Sequence, residues 1–487
     1  MPLALVIPLL ATLLVAMPIA RSDAGSLTQR PLPPEEAGEA RIVWTSCGER
    51  LECAHVQVPV DWSHPRRDTI TLAVIRHLAS DPDRRIGSLF WNPGGPGGSL
   101  EQVRAEGKNL DAQLEGRFDI VGWDLRGTGE STHVRCFESE TAAEQFFHDW
   151  EIPFTTSSSR RILRKTAVLA RRCRALSGSL LSYISTADSV RDLDYLRQLV
   201  GDRTLSYWGW SAGTFIGQTY ANMFPGRVRA MALDGLVDAV DFTTGTEAWL
   251  VGTLSYADKA WDGFLSLCDA AGPARCALAG HGSTAAARAE QVLADLRRGP
   301  IGDLTYGDAL SAILVSFSLG PAHWPALAAA IDAAAEGNGS ELATLGRIVA
   351  KAFSSTTTAP GLPAIALICA DSPADRGRGA WPSVVDRLTR TSFIYGPVLA
   401  WWRWAPCASW HAKSPNRYVG PWDAITTNPI LVIGSLYDPN TPYVNAVRTA
   451  ERLGKTALLT HEGYGTSAPT TRARASSRQP APTSSTS

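Results

Sequence analysis

Net charge is almost absent from this chain. Its 487 residues hold 46 Lys and Arg against 47 Asp and Glu, a formal balance of −1, and no basic stripe runs along it. Nucleic acid and an anionic membrane surface therefore have no electrostatic footing, and neither is an expected partner. Neither a G-x-x-x-x-G-K-[ST] nor a G-x-G-x-x-G pattern occurs, so the common nucleotide-binding loops are missing and no cofactor is implied. No segment recurs at a period of 20–50 residues, which sets aside solenoids and propellers. None of the eight cysteines forms a CxxC pair, so no metal or dithiol redox site is expected.

What is present suits a large globular protein. The chain is 45% hydrophobic and 19% charged, enough for one large domain with an insertion or for two ordinary domains. It begins with an uncharged apolar run, "MPLALVIPLLATLLVAMPIA", followed by "RSDAGS", where Ser22 and Ala24 suit the −3 and −1 positions of a signal peptidase site. Residues 1–24 are read as a secretory signal peptide and the proline-rich 25–40 as a linker. Left uncleaved, the run is nearly long enough to anchor in a bilayer; otherwise no membrane partner is expected. The cysteines agree with export, because an even number spread over the chain suits disulfides in an oxidising compartment. Their clustering pairs Cys47 with Cys53, Cys136 with Cys173, Cys268 with Cys276 and Cys369 with Cys407.

From residue 41 onward strand-like and helix-like stretches alternate. "HVQVPVDW" and "TITLAVIRHL" read as an early antiparallel pair. "GSLFWNPGG" and "FDIVGWD" are short apolar strands ending in turn chemistry. In "STADSVRDLDYLRQLVG", Val190, Leu193, Leu196 and Val200 share a helical face that Thr186 or Asp188 can cap and Gly201 can stop. Strand–helix–strand order implies a mostly parallel α/β sheet, here covering 41–238. Over 239–427 alanine-rich helical stretches and clustered tryptophans take over, which reads as a helical cap inserted into the sheet. "NPILVIGSLYDPNTP" returns to the strand-then-turn pattern, and 428–465 completes the core.

Four loops carry candidate chemistry. "GWSAG", residues 209–213, fits a sharp strand-to-helix turn that exposes Ser211 as a nucleophile. The backbone N–H of Ala212 then faces a developing oxyanion. "NPGGPGGS", residues 92–99, lies early enough in the sheet to supply a second oxyanion donor, the Gly95 N–H. In "DLRGTGES", Asp124 and Arg126 are expected to fix the turn beside that loop. "GSLYDPNTP" places Asp438 at the carboxyl end of a strand, where it can orient an imidazole. Asp234 competes for this role, but Asp438 lies nearer the expected histidine.

Together "NPGGPGGS", "DLRGTGES", "YWGWSAGTFIG", "LDGLVD", "ICADSP" and "GSLYDPNTP" resemble the secreted α/β-hydrolases of the tripeptidyl aminopeptidase group, relatives of prolyl iminopeptidase. The resemblance runs from about residue 41 to about residue 465. It implies an α/β-hydrolase fold with a TAP-like C-terminal region and a Ser–Asp–His triad acting on peptides with a free N-terminus. Carried across, Ser211 is the nucleophile and Asp438 the acid. Apart from the resemblance, the Cys369–Cys407 pair would tie "LICADSP" to the tryptophan-rich stretch and hold Asp371 near the pocket mouth, where it would receive a substrate ammonium group. Two positions depart from the group's pattern: Ala212 replaces the usual tyrosine, and "HEGYGTSAPT" has Thr466 where G-[YW]-G-H-[TS] would put the catalytic histidine.

The tail, 466–487, holds no large apolar residue and is expected to be disordered. Loss of the histidine together with a final helix is the pattern of a frameshifted or truncated gene. His461 is the substitute base to consider, although a strand-end histidine is ordinarily structural, and His133 has no motif behind it. Three functions follow: a serine exopeptidase weakened by the missing base, a carboxylester hydrolase on the same scaffold, or a peptide-binding pseudoenzyme. Oligomeric state is left open.

Overall fold

The structure is a computed structural model that describes residues 41–466 apart from 149, 355–360, 375–376 and 413, with no side chains described at 349–354. The expected signal peptide, the linker and the tail beyond Thr466 lie outside the described residues. The nine described strands are β1 (Thr45–Gly48), β2 (Leu51–Pro59), β3 (Thr69–His77), β4 (Gly87–Asn92), β5 (Phe118–Trp123), β6 (Leu205–Trp210), β7 (Val228–Asp234), β8 (Ile430–Tyr437) and β9 (Thr456–Tyr464). They form one sheet in the order β1-β2-β3-β5-β4-β6-β7-β8-β9. The expected early pair is present: β2 and β3 run antiparallel in unbroken register from Leu51↔His77 to Pro59↔Thr69. β3 joins β5 antiparallel, and every pairing from β5 through β4 to β9 is parallel.

The central strands are short apolar runs because helices cover both faces. All six residues of β4 are buried. Leu89 and Trp91 pack with Val103 and Leu110 of helix Leu100–Gln113, while Phe90 between them packs into the larger cluster on the opposite face. β4 is also the topological switch point. From it the sheet grows to β5 on one side and β6 on the other. In an open α/β sheet, ligands bind outside the carboxyl ends of strands at this point.

Helix Thr186–Leu199 buries Val190, Leu193 and Leu196 as its periodicity requires. Its N-cap is Ser185, one residue before the expected Thr186: Ser185 Oγ and the Asp188 carboxylate bond reciprocally across the first turn. Thr186 is occupied elsewhere, donating both its N–H and its hydroxyl to Asp371.

Between β7 and β8 the described residues are largely helical; Thr246–Ala271 is the longest helix described there, and Tyr306–Ser318 and Trp324–Ala335 are among the others. A shorter helical excursion over 140–182 separates β5 from β6 and has no counterpart in the sequence reading. Trp261, Phe264, Phe317 and Trp324 pack edge-to-face or tilted at centroid distances of 5.1–6.1 Å. Trp324 also meets Tyr464 at 4.9 Å, so the cap grips the "GYG" turn directly. All four cysteine pairs expected from clustering are bonded. Among the described residues no helix is long and apolar enough to cross a membrane.

Candidate active site

Ser211 stands between β6 and helix Ala212–Met223 with φ 50°, a left-handed conformation that a serine adopts at a cost. The fold holds it there. Ser211 N–H donates to the Asp234 carbonyl at the end of β7 (2.9 Å). Gly213 lies so close to the Asn92 backbone carbonyl that no side chain fits between helix and strand. Ser211 is half-buried, and its hydroxyl has no hydrogen-bond partner among the described residues.

The loop after β4 folds over this elbow. A Cβ on Gly94, which has φ 95°, would meet the Trp210 carbonyl at 2.6 Å and Ala212 N at 3.0 Å. The loop approaches the helix N-terminus because Gly94 has no side chain. Gly94 N–H is already used, donating to Asn92 Oδ1 (3.0 Å). The N–H of Gly95 has no acceptor among the described residues, and Ala212, as the first helical residue, has an N–H without an intrahelical partner. These two N–H groups are therefore the ones free to meet an oxyanion.

Asp124 anchors the far end of that loop. It accepts from the N–H groups of Ser99 (2.9 Å), Leu100 (3.2 Å) and Glu130 (2.8 Å). Arg126, fully enclosed, forms a two-pronged pair with Asp192 at 2.6 and 2.7 Å. Both act on the scaffold, not on a substrate. His133 forms a backbone bridge with Gly127 in the same loop.

Asp438 follows β8 and is 2% exposed. Its carboxylate accepts from Asn440 N–H (2.9 Å), Thr441 N–H (2.9 Å), Thr441 hydroxyl (2.6 Å) and Thr466 hydroxyl (2.8 Å). Thr466 thus sits against the acid where a base would bond. Its hydroxyl oxygen also accepts from Asn440 Nδ2 (2.9 Å), which reaches the cap through Ser318 (2.8 Å). Burial pushes the Asp438 carboxyl up to about 6 despite these donors.

His461 lies elsewhere. It pairs with Ser435 across β8 and β9, its Nδ1 is 3.0 Å from Ser435 Oγ, and its ring lies over Gly463. The structure brings it to neither Asp438 nor Ser211 as a hydrogen-bond partner. Facing Ser435 near the carboxyl end of the β8–β9 ladder is the structural role expected of a strand-end histidine.

The pocket-mouth location expected for Asp371 is not where this residue lies. The Cys369–Cys407 bond forms, but the carboxylate is 2% exposed. One of its oxygens binds Thr186, and the other is enclosed without a partner. Burial pushes this carboxyl up to about 7, with nearby Asp188 adding to the effect. Its neighbours make it a group that joins helix Leu362–Asp371 to the start of helix Thr186–Leu199.

A carboxyl raised in the folded state holds a proton that the unfolded chain has already released, so stability falls as pH rises from about 4 toward about 7. Asp371→Asn removes the Asp371 share of that fall, on the order of a few kcal/mol. Melting curves of both proteins from pH 4 to pH 8 are expected to diverge in the variant's favour as pH rises. Parallel curves would contradict the assignment.

Arg403 escapes sequence motifs. Its guanidinium donates to the Gly95 carbonyl and lies over the Trp404 ring at 5.3 Å. Burial lowers its pKa to about 10. The available signal was a lone charge among the tryptophans of "AWWRWAPCASW".

Comparison with known proteins agrees with this geometry. Residues 88–272 match an alpha/beta hydrolase fold family and residues 392–480 a TAP-like protein family. The chain is 27% identical to a tripeptidyl aminopeptidase of Streptomyces lividans over 452 residues, 88% of this chain and 81% of that protein. It is 29% identical to the serine protease Hip1 of Mycobacterium tuberculosis over 454 residues, 87% and 84% of the two chains. A carboxylesterase B of the same species is 28% identical over 487 residues, 93% and 90% of the two. An elbow serine at the switch point, a buried acid two strands away and matches at both ends of the sheet make this chain an α/β-hydrolase with a TAP-like C-terminal region.

Proposed function

We propose that the protein is an exported serine hydrolase of peptides with free N-termini whose catalytic base position is filled by Thr466, so that it engages such peptides but cleaves them slowly. The observation that carries this reading is the 2.8 Å hydrogen bond from Thr466 to Asp438. In acyl transfer, the serine hydroxyl attacks a carbonyl while a base takes its proton, and oriented N–H groups stabilise the oxyanion. Ser211, Gly95 and Ala212 supply the nucleophile and the two donors. Asp438 supplies the orienting acid. A threonine hydroxyl is not basic at neutral pH, so the proton of Ser211 has no protein acceptor. What is left is oxyanion stabilisation and substrate positioning, which together still exceed the uncatalysed rate by roughly 10³–10⁴. Peptide as substrate class, and export, are supported by the tripeptidyl aminopeptidase and Hip1 relatives and by the four disulfides.

The carboxylesterase B relative favours a second reading in which the acyl group comes from an ester. Esters have better leaving groups and tolerate a missing acid–base residue more readily. The two separate in one assay with a tripeptide p-nitroanilide, its N-acetylated form and a p-nitrophenyl ester. The peptidase reading expects slow release from the first and at least about ten-fold less from the blocked form, since burying an unmatched polar terminus costs that much. Equal rates for the blocked and free peptides, with the ester far ahead, would overturn it.

A further inference from the structure

The described surface holds an open cleft of about 1000 Å³ outside the triad region. It lies between helix Thr156–Ser177, which supplies Arg160 and Arg164, and helix Gly377–Thr391, which supplies Arg378 and Arg390; Arg297 enters from the end of helix Ala285–Arg298. All five arginines are exposed. Asp386 is the only acidic residue among the described residues of the lining. For a chain of net charge −1 this is a marked local concentration.

Among the described residues these cations have no carboxylate partner, whereas several other surface arginines do. Arg84, Arg104, Arg288, Arg347 and Arg387 each hold a carboxylate at the surface. Arg160, Arg164, Arg378 and Arg390 have no hydrogen-bond or ion-pair partner among the described residues. Arg297 donates to the Tyr306 hydroxyl (2.9 Å), a neutral partner, and lies over that ring. Five like charges sharing one cleft repel each other, and an anion is what relieves that repulsion. Arginine, with its planar fork, suits carboxylate and phosphate oxygens.

The cleft also has an apolar side. Phe154 is 59% exposed and sits 5.3 Å from the Tyr306 ring. A concave wall bearing aromatic rings beside several forks fits a short flexible chain that alternates acidic and apolar side chains. It does not fit a flat lipid surface or a rigid duplex. Trp401 lines the floor, and two residues later Arg403 holds the Gly95 carbonyl, so an occupant would press on the segment that clamps the oxyanion loop.

We propose that this cleft is a second binding site, one that takes an acidic peptide segment. The choice of peptide over other polyanions rests on the peptidase reading above; the charge complementarity does not. The test is fluorescence anisotropy on the full chain with a labelled, N-acetylated peptide of alternating glutamate and leucine. Blocking the N-terminus keeps it from competing for the catalytic site. Saturable binding is expected, weakening steeply between 50 and 300 mM salt, and a glutamine version should not bind. Arg164→Glu with Arg390→Glu should weaken binding at least ten-fold with melting temperature unchanged, Arg164→Lys with Arg390→Lys should retain most of it, and Ser211→Ala should bind as the parent does. Equal binding by the charge-reversed protein, no binding at 100 µM peptide, or tighter binding of a thymidine oligonucleotide would overturn the proposal. Because the readout is binding, it can fail while the turnover assay succeeds, and the reverse.

Discussion

Replacing Thr466 with histidine is expected to raise turnover of an N-terminally free tripeptide p-nitroanilide by about 10³-fold or more. The argument is local. Thr466 Oγ1 already lies 2.8 Å from Asp438, so a side chain at this position is aimed at the acid. The turn that delivers it is fixed from three sides. Tyr464 stacks on Tyr437 at 4.4 Å and packs on Trp324 of the cap, while Gly465 N–H bonds the Tyr437 carbonyl. An imidazole there would donate to Asp438 and leave its other nitrogen for the Ser211 proton, completing the acid–base–nucleophile chain. Loss of the base costs a serine protease about 10⁶ in kcat, and an untuned replacement recovers only part of that. Ser211→Ala in the Thr466→His background should return the rate to that of the parent. His461→Ala in the unaltered chain should change turnover by less than about two-fold, because the ring serves Ser435.

The largest stability effect is expected at Arg126. Its guanidinium holds Asp192 and three carbonyls, those of Pro59 (3.0 Å), Val60 (2.8 Å) and Tyr183 (2.8 Å). It therefore ties the end of β2 to the segment leading into helix Thr186–Leu199. Both charges are fully enclosed. Arg126→Met leaves Asp192 a buried carboxylate with only Trp62 Nε1 (2.9 Å) as a strong donor. The expected cost is about 3–5 kcal/mol, the cost of an orphaned buried charge. Removing both partners, as Arg126→Met with Asp192→Leu, should be far milder than the single change, since no bare charge is left. Urea midpoints of the three proteins test this, and a single variant within about 1 kcal/mol of the parent would contradict it.

Much of this architecture is legible in the residues, for physical reasons. Buried parallel strands must be short and apolar, and a nucleophile elbow needs glycine at close approach, so β4, β6 and "GWSAG" stand out. The helices between β7 and β8 are announced by alanine-rich stretches. Other features depend on partners distant in sequence. Thr186 reads as a cap until Asp371, 185 positions away, claims its donors. Asp371 reads as a ligand group for the same reason: an acid beside a cysteine gives no sign of the burial that encloses it. That Thr466 would still reach Asp438, and that Arg403 would hold the oxyanion loop, follows from the meeting of cap and sheet, which no local pattern encodes.

The central claim is that Ser211 has no protein base. The most direct measurement is the pH dependence of Ser211 phosphonylation by a fluorophosphonate probe, in which Oγ displaces fluoride from phosphorus, from pH 5 to pH 10. Without an imidazole, the logarithm of the rate should climb with slope near one and show no plateau, because hydroxide alone removes the proton. His461→Ala should trace the same line, and Thr466→His should add a plateau above neutral pH. A plateau with an inflection between about pH 6 and 7 in the unaltered chain, lost on His461→Ala, would show that a working base exists and contradict the account.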